Sequence, residues 1–233
     1  MTLYPEAEWV PWRLLDPQGR ATYYDGLNVP VAVVLHTAEG YESTIRAWAA
    51  AGEYGRSWHF TICDDGRVLQ HLEFADGGYH ASITAQQAAA QPPIWSLWRG
   101  PGENVNYYTI GIEHTGFHGD GFLAAQRESS RKLCRWLAAE LNIAYDRDHF
   151  PPHADIDLMN RVNDFDTPAW REVHYEFLFE EENMMTAAEQ ARLERIELLL
   201  AGNGIKLPDG TALAGDQALA YLDAAGVSLM QYV

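Results

Sequence analysis

The sequence has few basic residues and no long apolar run. Its 233 residues hold 16 Lys and Arg against 33 Asp and Glu, which gives a net charge of −17. This charge disfavours nucleic acid as a partner, because binding phosphates requires clustered Lys and Arg. No segment has the roughly 18 consecutive apolar residues that cross a bilayer, so a membrane is not expected as a partner either.

Cysteine is also scarce. Cys63 and Cys134 are too few for a disulfide framework, and we interpret them as small buried apolar residues. The N-terminal segment lacks a basic start followed by an apolar stretch and a small-residue cleavage site. We therefore expect no signal peptide and cytoplasmic synthesis.

Apolar strands and amphipathic helices are present in alternation. Val29–Thr37 is a continuous Val-rich run, typical of a buried strand. The next segment has helical spacing, with Ser43 or Thr44 as its expected N-cap and Gly52 near its end. Two alternating stretches around Asp65–Gly66 then predict a β-hairpin.

A further apolar strand, "YYTIGIEHTG", and a long amphipathic helix follow the hairpin. The apolar positions of this helix are Leu133, Trp136, Leu137 and Leu141. Between the hairpin and the strand lies a long loop rich in Pro, Ala and Trp. Its Trp95 and Trp98 could stack on sugar rings or pack on the core.

The start of a new predicted helix near Asn183–Thr186 indicates a boundary between a main domain, residues 1–183, and an appendage, residues 184–233. Thr186 and Glu189 form a Thr-x-x-Glu capping box, which predicts a helix in the appendage. The appendage is too small to fold well alone, so we expect it to pack on the main domain or to form a homo-oligomer. Pairing would use the apolar residues Leu193, Ile196 and Leu200.

Two of the nine histidines occupy informative places. His36 ends the first buried strand, where α/β folds place ligands, and His153 lies in a loop after the long helix. Two His and one Asp suit a catalytic zinc site. Four aspartates follow His153 in "HADIDLMNRVNDFD", and the residues alone leave open which of them completes such a site: Asp155, Asp157, Asp164 or Asp166.

Five segments in order and spacing resemble the type 2 N-acetylmuramoyl-L-alanine amidases. They are "VVLHTAEG", "SWHFTICDDGRVLQHL", "GGYHAS", "NYYTIGIEHTG" and "HADIDLMNRVND", and the resemblance spans roughly residues 29–170. It implies an α/β fold with a central mixed β-sheet flanked by helices and zinc (Zn²⁺) in a groove on one face. In addition to this domain, we expect residues 184–233 to form a small helical C-terminal appendage.

The resemblance also implies the zinc ligands. His36 and His153 match the first two, and Asp164 matches the third, because "HADI" and "RVND" fit the two ends of the family motif with a spacer about one residue longer. Asp166 is the alternative, since it opens the segment "DTPAW", whose Pro and Trp match the Pro and aromatic residue that follow the family ligand. Glu113 matches the glutamate that faces the zinc-bound water and is the expected base.

Two positions depart from the family pattern. Trp58 stands where some members have Tyr, and we expect Trp58 and His80 of "GGYHAS" to bind substrate. Val162 stands where many members have a Lys that stabilises the oxyanion, and we expect neighbouring Arg161 to supply that charge. His59 is expected to be structural or to support a site residue indirectly, and His114 is expected to be structural.

The implied activity is hydrolysis of the amide between N-acetylmuramic acid and L-alanine, with peptidoglycan or a muropeptide as the partner. The alternatives are a peptidoglycan-binding module that has lost its metal and a zinc peptidase on a related sheet. All three candidate ligands are present, which favours the amidase. The long loop and the appendage favour a phage endolysin that acts on the cell wall over a cytosolic recycling enzyme.

Overall fold

The structure is a computed structural model that describes residues 2–179, 205–206 and 212–213. The chain divides into two units, Met1–Phe179 and Glu180–Val233. What is described of the second unit is an antiparallel strand pair, which the sequence analysis did not predict. The expected capping box, appendage helix and pairing residues lie outside the described residues.

The described part of the first unit contains five short strands, two six-residue strands and four α-helices. The strands are β1 (Ala7–Trp9), β2 (Tyr23–Tyr24), β3 (Ala32–Thr37), β4 (Phe60–Ile62), β5 (Val68–Gln70), β6 (Gly77–Gly78) and β7 (Thr109–His114). The helices are α1 (Glu42–Ala51), α2 (Ala85–Ala90), α3 (Ala124–Leu141) and α4 (Pro168–Phe179). The second unit contributes β8 (Ile205–Lys206) and β9 (Ala212–Leu213).

Five strands form a mixed sheet in the order β1-β5-β4-β7-β3. The hairpin pair β4–β5 is antiparallel, and the other three pairs are parallel. The strands β3, at one edge of the sheet, and β7, its neighbour, are buried along their whole length, which explains their continuous apolar sequences. The expected mixed α/β sheet is confirmed.

The start of α1 differs from the prediction. Its N-cap is Tyr41, which has an extended backbone and makes no side-chain capping bond, so the prediction of Ser43 or Thr44 is wrong. Gly40 exchanges backbone hydrogen bonds with Gly116 immediately before the helix, which allows the helix to begin earlier in the sequence. Gly52 ends α1 in the left-handed conformation, as predicted.

The two faces of the sheet have different roles. The face that carries Val33 and Leu35 packs against α3 and α4 in the largest apolar cluster, which includes Leu133 and Leu137. Cys134 belongs to this cluster, and both cysteines are buried and free, as expected. Among the described helices, none is both long enough and apolar enough to cross a membrane. The opposite face of β3 carries His36.

Several buried histidines are held neutral by the fold. His59 accepts a hydrogen bond from the Gly111 N–H and contacts the Asp76 carbonyl, and His71 contacts the Val10 carbonyl. Burial lowers the pKa of His59, His71 and His174 to about 4 in each case. The folded state therefore resists protonation of these rings, whereas the unfolded chain accepts protons near the ordinary pKa of about 6.5.

This difference predicts acid sensitivity. As pH falls from about 6.5 to 4, the unfolded state binds more protons than the folded state, so the free energy of unfolding decreases. Each such histidine contributes a loss of about 3 kcal/mol at pH 4. Urea unfolding of the metal-free protein between pH 7 and 4 measures this loss.

A matched pair of variants checks the origin of the acid sensitivity. His71→Gln should make the free energy of unfolding decrease less steeply on acidification, because the unfolded chain then takes up one proton fewer. His118→Gln should leave this decrease unchanged, because His118 is exposed beside Glu39. An unchanged pH dependence in His71→Gln would contradict the interpretation.

Candidate metal centre

Three side chains from separate parts of the chain converge on the face of the sheet opposite α3 and α4. His36 lies near the end of β3, His153 opens a short 3₁₀ helix, and Asp164 lies in the loop before α4. One ligand atom from each residue lies within 4.8 Å of the others. The structure therefore brings together the three residues that the sequence analysis expects to hold zinc.

Backbone hydrogen bonds along β3 position His153. The Val33 N–H donates to the His149 carbonyl at 2.8 Å, and the Leu35 N–H donates to the Pro151 carbonyl at 2.9 Å. The segment 149–152 thus runs beside the edge of β3, and the next residue is His153. This alignment places His153 next to His36, with their ring centroids 4.7 Å apart.

The two oxygens of Asp164 have different partners. Oδ2 lies 3.3 Å from His36 Nδ1 and 2.8 Å from His153 Nδ1. Oδ1 accepts backbone N–H bonds from Thr37 and Phe165, both at 2.9 Å. The backbone therefore orients the carboxylate and leaves Oδ2 facing the two imidazoles, which is the arrangement that supports a metal ligand.

Asp166 belongs to a different hydrogen-bond network. Its Oδ1 accepts from the Gly119 N–H at 2.6 Å, and its Oδ2 lies 3.3 Å from His174 Nε2. Its own N–H donates to the hydroxyl of Thr37 at 2.9 Å. Phe165 and Asp166 have φ of 60° and 68°, so the chain reverses between the two aspartates and directs them to different sides.

The loop of Asp164 is also held by Arg171, which the sequence analysis did not identify. Its guanidinium donates to the carbonyls of Val162, Asp166 and Asp164 at 2.7, 3.0 and 3.2 Å. Backbone carbonyls carry no residue identity, so no sequence signal reveals these partners. The role of Arg171 is to fix the loop that presents Asp164.

Glu113 lies beside the cluster because β3 and β7 are parallel and His36 pairs in register with it. Side chains at paired positions of neighbouring strands lie on the same face of a sheet. Glu113 is 9% exposed, and its Oε2 has no hydrogen-bond partner among the described residues. Burial raises the pKa of this carboxyl well above its usual value, the negative charge of Asp164 adds to the increase, and Arg161 opposes it.

The electrostatics of the cluster favour an ionised Asp164. Burial opposes its charge, yet the neighbouring His36 and His153 hold its pKa well below the usual value. Burial lowers the pKa of His36 to about 4, although Asp164 acts in the opposite direction. Near neutral pH the site therefore presents a carboxylate and a neutral His36, and both are chemically suited to bind a cation.

The remaining predicted site residues lie in different surroundings. Trp58 is 4% exposed, its Nε1 donates to the Thr61 hydroxyl at 2.8 Å, and its ring contacts Trp12 edge-on. This position argues against direct contact of Trp58 with a substrate. Arg161 is exposed near the cluster, where its charge affects Glu113.

His80 contacts His36 of the three-residue cluster directly. Its Nδ1 lies 3.1 Å from His36 Nε2, and its ring is 9% exposed. Of the two histidines expected to be structural, His59 is described above. His114 contacts the His36 carbonyl and the Ser130 hydroxyl on the opposite face of the sheet, both at 2.9 Å. The loop residue Trp95 is also buried, and it donates to the Asp148 carbonyl at 2.7 Å.

Comparisons with known proteins agree with this architecture. The model of the family described as N-acetylmuramoyl-L-alanine amidase matches residues 25–167, more than half of the chain, and the chain belongs to this type 2 amidase family. It is 27% identical over 143 residues to N-acetylmuramoyl-L-alanine amidase A of Achromobacter lyticus. That match covers 60% of this chain and 66% of the relative, slightly less than two thirds of its length.

Solved structures show the same fold at low sequence identity. A selenomethionine derivative of AmpD has a TM-score of 0.55 at 20% identity, and the match covers 76% of this chain and 97% of that one. A mutant of PlyL has a TM-score of 0.50 at 12% identity, and the match covers 76% of this chain and 99% of that one.

Proposed function

We propose that this protein is a zinc-dependent N-acetylmuramoyl-L-alanine amidase that cleaves the amide between N-acetylmuramic acid and L-alanine in peptidoglycan. Its zinc ligands in this proposal are His36, His153 and Asp164, and its general base is Glu113. Membership of the amidase family supports the reaction. The observation that carries the proposal is that the buried carboxyl of Glu113, whose Oε2 has no hydrogen-bond partner among the described residues, lies beside the three-residue cluster.

The residues present fit zinc. Catalytic zinc sites use three N, O or S ligands and keep one position open, and two imidazoles with one carboxylate meet this requirement. Oδ1 of Asp164, the oxygen that would not bind the metal, accepts hydrogen bonds from two backbone N–H groups. Such hydrogen bonds orient a ligating carboxylate. The complete ligand set also favours the enzyme over a binding module that has lost its metal.

Each side chain has a defined task in hydrolysis. Zinc, when bound, polarises the scissile carbonyl and lowers the pKa of water. The Glu113 carboxylate takes the proton of the attacking water and returns it to the leaving amine. Its buried position keeps its pKa high, which suits a group that must both accept and release a proton.

Arg161 is proposed to stabilise the negative charge that develops on the carbonyl oxygen. Its exposed side chain adds positive charge near Glu113, in a loop where Val162 provides none. We expect Arg161→Ala to lower kcat by about 10²-fold, with Arg161→Lys intermediate and zinc content unchanged. Steady-state kinetics on a soluble muropeptide check this, and equal kcat for Arg161→Ala and the wild type would remove Arg161 from the mechanism.

Metal removal tests the proposal as a whole. We expect the purified protein to bind one equivalent of zinc, to release stem peptides from muropeptides, and to lose this activity on dialysis against a chelator. Added Zn²⁺ should restore activity, whereas Mg²⁺ should not, because it prefers octahedral oxygen ligands. A wild-type protein that binds zinc and releases no peptide would contradict the amidase assignment.

We further propose that the physiological substrate is the intact wall and that the protein acts as an endolysin. The support is that the chain extends beyond the family match at residue 167 into a second unit. Faster release of peptides from purified sacculi than from soluble muropeptides, at equal bond concentration, is the expected result. A strong preference for soluble fragments would favour a recycling role instead.

A further inference from the structure

The ring of His80 lies between His36 of the three-residue cluster and strand β7. Its Nδ1 is 3.1 Å from His36 Nε2, and its Nε2 is 3.4 Å from the hydroxyl of Thr109. Both ring nitrogens therefore face partners inside the protein. A side chain with both nitrogens engaged in this way is poorly placed to bind a substrate.

Two glycines make room for this ring against the sheet. A Cβ at Gly111 would lie 2.7 Å from His80 Cγ, and a Cβ at Gly78 would lie 3.2 Å from His80 Cδ2. The backbone on each side of the ring is held by Asn106, whose Oδ1 accepts the N–H groups of His80 and Ala81 at 3.3 and 2.9 Å. The position of His80 is therefore fixed independently of any ligand.

The hydrogen bonds define a direction. The Thr109 hydroxyl donates to the Val105 carbonyl at 2.9 Å, so toward His80 it acts as an acceptor. Neutral imidazole has one donor and one acceptor nitrogen, so a His80 that donates through Nε2 accepts through Nδ1. His36 then donates through Nε2, and its unprotonated Nδ1 lies 3.3 Å from Asp164 Oδ2, where both atoms are available to a metal ion.

We propose that His80 is a positioning residue that sets the tautomer and ring orientation of His36 for zinc binding, through the chain Val105–Thr109–His80–His36. This inference rests on the proposed zinc site and replaces the expectation that His80 binds substrate. Outer-shell partners of ligating histidines raise metal affinity by fixing the ring in this way.

Zinc affinity, measured by competition with a chromogenic chelator, tests the role directly. His80→Leu removes the acceptor for His36, and we expect its zinc dissociation constant to rise about 10- to 100-fold. His80→Asn places an amide oxygen near the position of Nδ1 and should recover most of the affinity. Thr109→Val should weaken zinc binding to a smaller extent, whereas Thr109→Ser, which keeps the hydroxyl, should not.

His71→Leu is the matched control. His71 is also a buried histidine in contact with a threonine hydroxyl, but its contact is with Thr61, and its replacement should leave zinc affinity unchanged. An equal loss of affinity in His71→Leu and His80→Leu would overturn the inference, because it would reflect general destabilisation.

The remaining outcomes also decide the inference. Wild-type zinc affinity in His80→Leu, with a raised KM alone, would restore the substrate-binding role and overturn the proposal. An equal loss of zinc affinity in His80→Asn and His80→Leu would also overturn the proposal, because it would assign the effect to packing of the ring and not to its hydrogen-bond acceptor. Should His80→Leu fail to fold, equal affinities of Thr109→Val and Thr109→Ser would overturn it. A wild type without zinc affinity would refute the proposed function itself.

Discussion

Replacing Asp164 with alanine is expected to weaken zinc binding by more than about 100-fold. This is a larger loss of affinity than the removal of an outer-shell partner causes. The reason is geometric, because Asp164 Oδ2 is the carboxylate oxygen that faces both His36 and His153. Amidase activity should be lost with the metal. Zinc content after gel filtration and titration with a competing chelator measure the effect.

Asp166→Ala is the matched control, since the two aspartates are two residues apart and have different partners. We expect this variant to retain zinc at the wild-type ratio but to lose about 1–3 kcal/mol of stability, because it leaves the Gly119 N–H and His174 without their acceptor. Loss of zinc in Asp166→Ala together with its retention in Asp164→Ala would reverse the ligand assignment.

Glu113→Gln is expected to lower kcat by about 10²- to 10⁴-fold while zinc binding is retained. The amide of Gln keeps the size of the side chain but accepts no proton. Since burial raises the pKa of Glu113 well above its usual value, activity of the wild type should fall on acidification at a higher pH than an ordinary glutamate would give. The sign follows because the protonated carboxyl is inactive as a base.

The control for this variant is Glu53→Gln, which changes an exposed glutamate just after α1. It should leave kcat, zinc content and the pH profile unchanged. Wild-type kcat in Glu113→Gln would exclude Glu113 as the base, whatever the state of the metal. Loss of zinc in Glu113→Gln would instead assign it a role in forming the site.

Some of this arrangement is predictable from the sequence, and some depends on backbone conformations that the sequence does not reveal. The apolar runs predict that His36 and Glu113 lie at strand ends, and the resemblance predicts their roles. Their juxtaposition depends on the parallel register of β3 and β7, which no local pattern specifies. Trp58 shows a different limit. It precedes His59 in a motif shared with the family, which suggests a role in substrate binding, yet its side chain packs in an apolar cluster.

The choice between Asp164 and Asp166 illustrates the limit most clearly. Both residues follow His153 at plausible distances, and the motif fits either of them to some degree. In the structure the two aspartates have different partners, and the consecutive residues Phe165 and Asp166 have the left-handed backbone conformation that few non-glycine residues adopt. The buried ring of Phe165 and the hydrogen bonds of Asp166 stabilise this conformation, and these contacts depend on the complete fold.

The separation of the cluster residues along the chain has a thermodynamic consequence. His36 and Asp164 are 128 residues apart, so the unfolded chain holds no preformed site and bound zinc stabilises only the assembled sheet. By linkage, free zinc at 100 times its dissociation constant adds about 2.7 kcal/mol to the free energy of unfolding. For the proposed zinc enzyme, the supply of free zinc would then affect both the fraction of newly made chains that survive proteolysis and the fraction that is active.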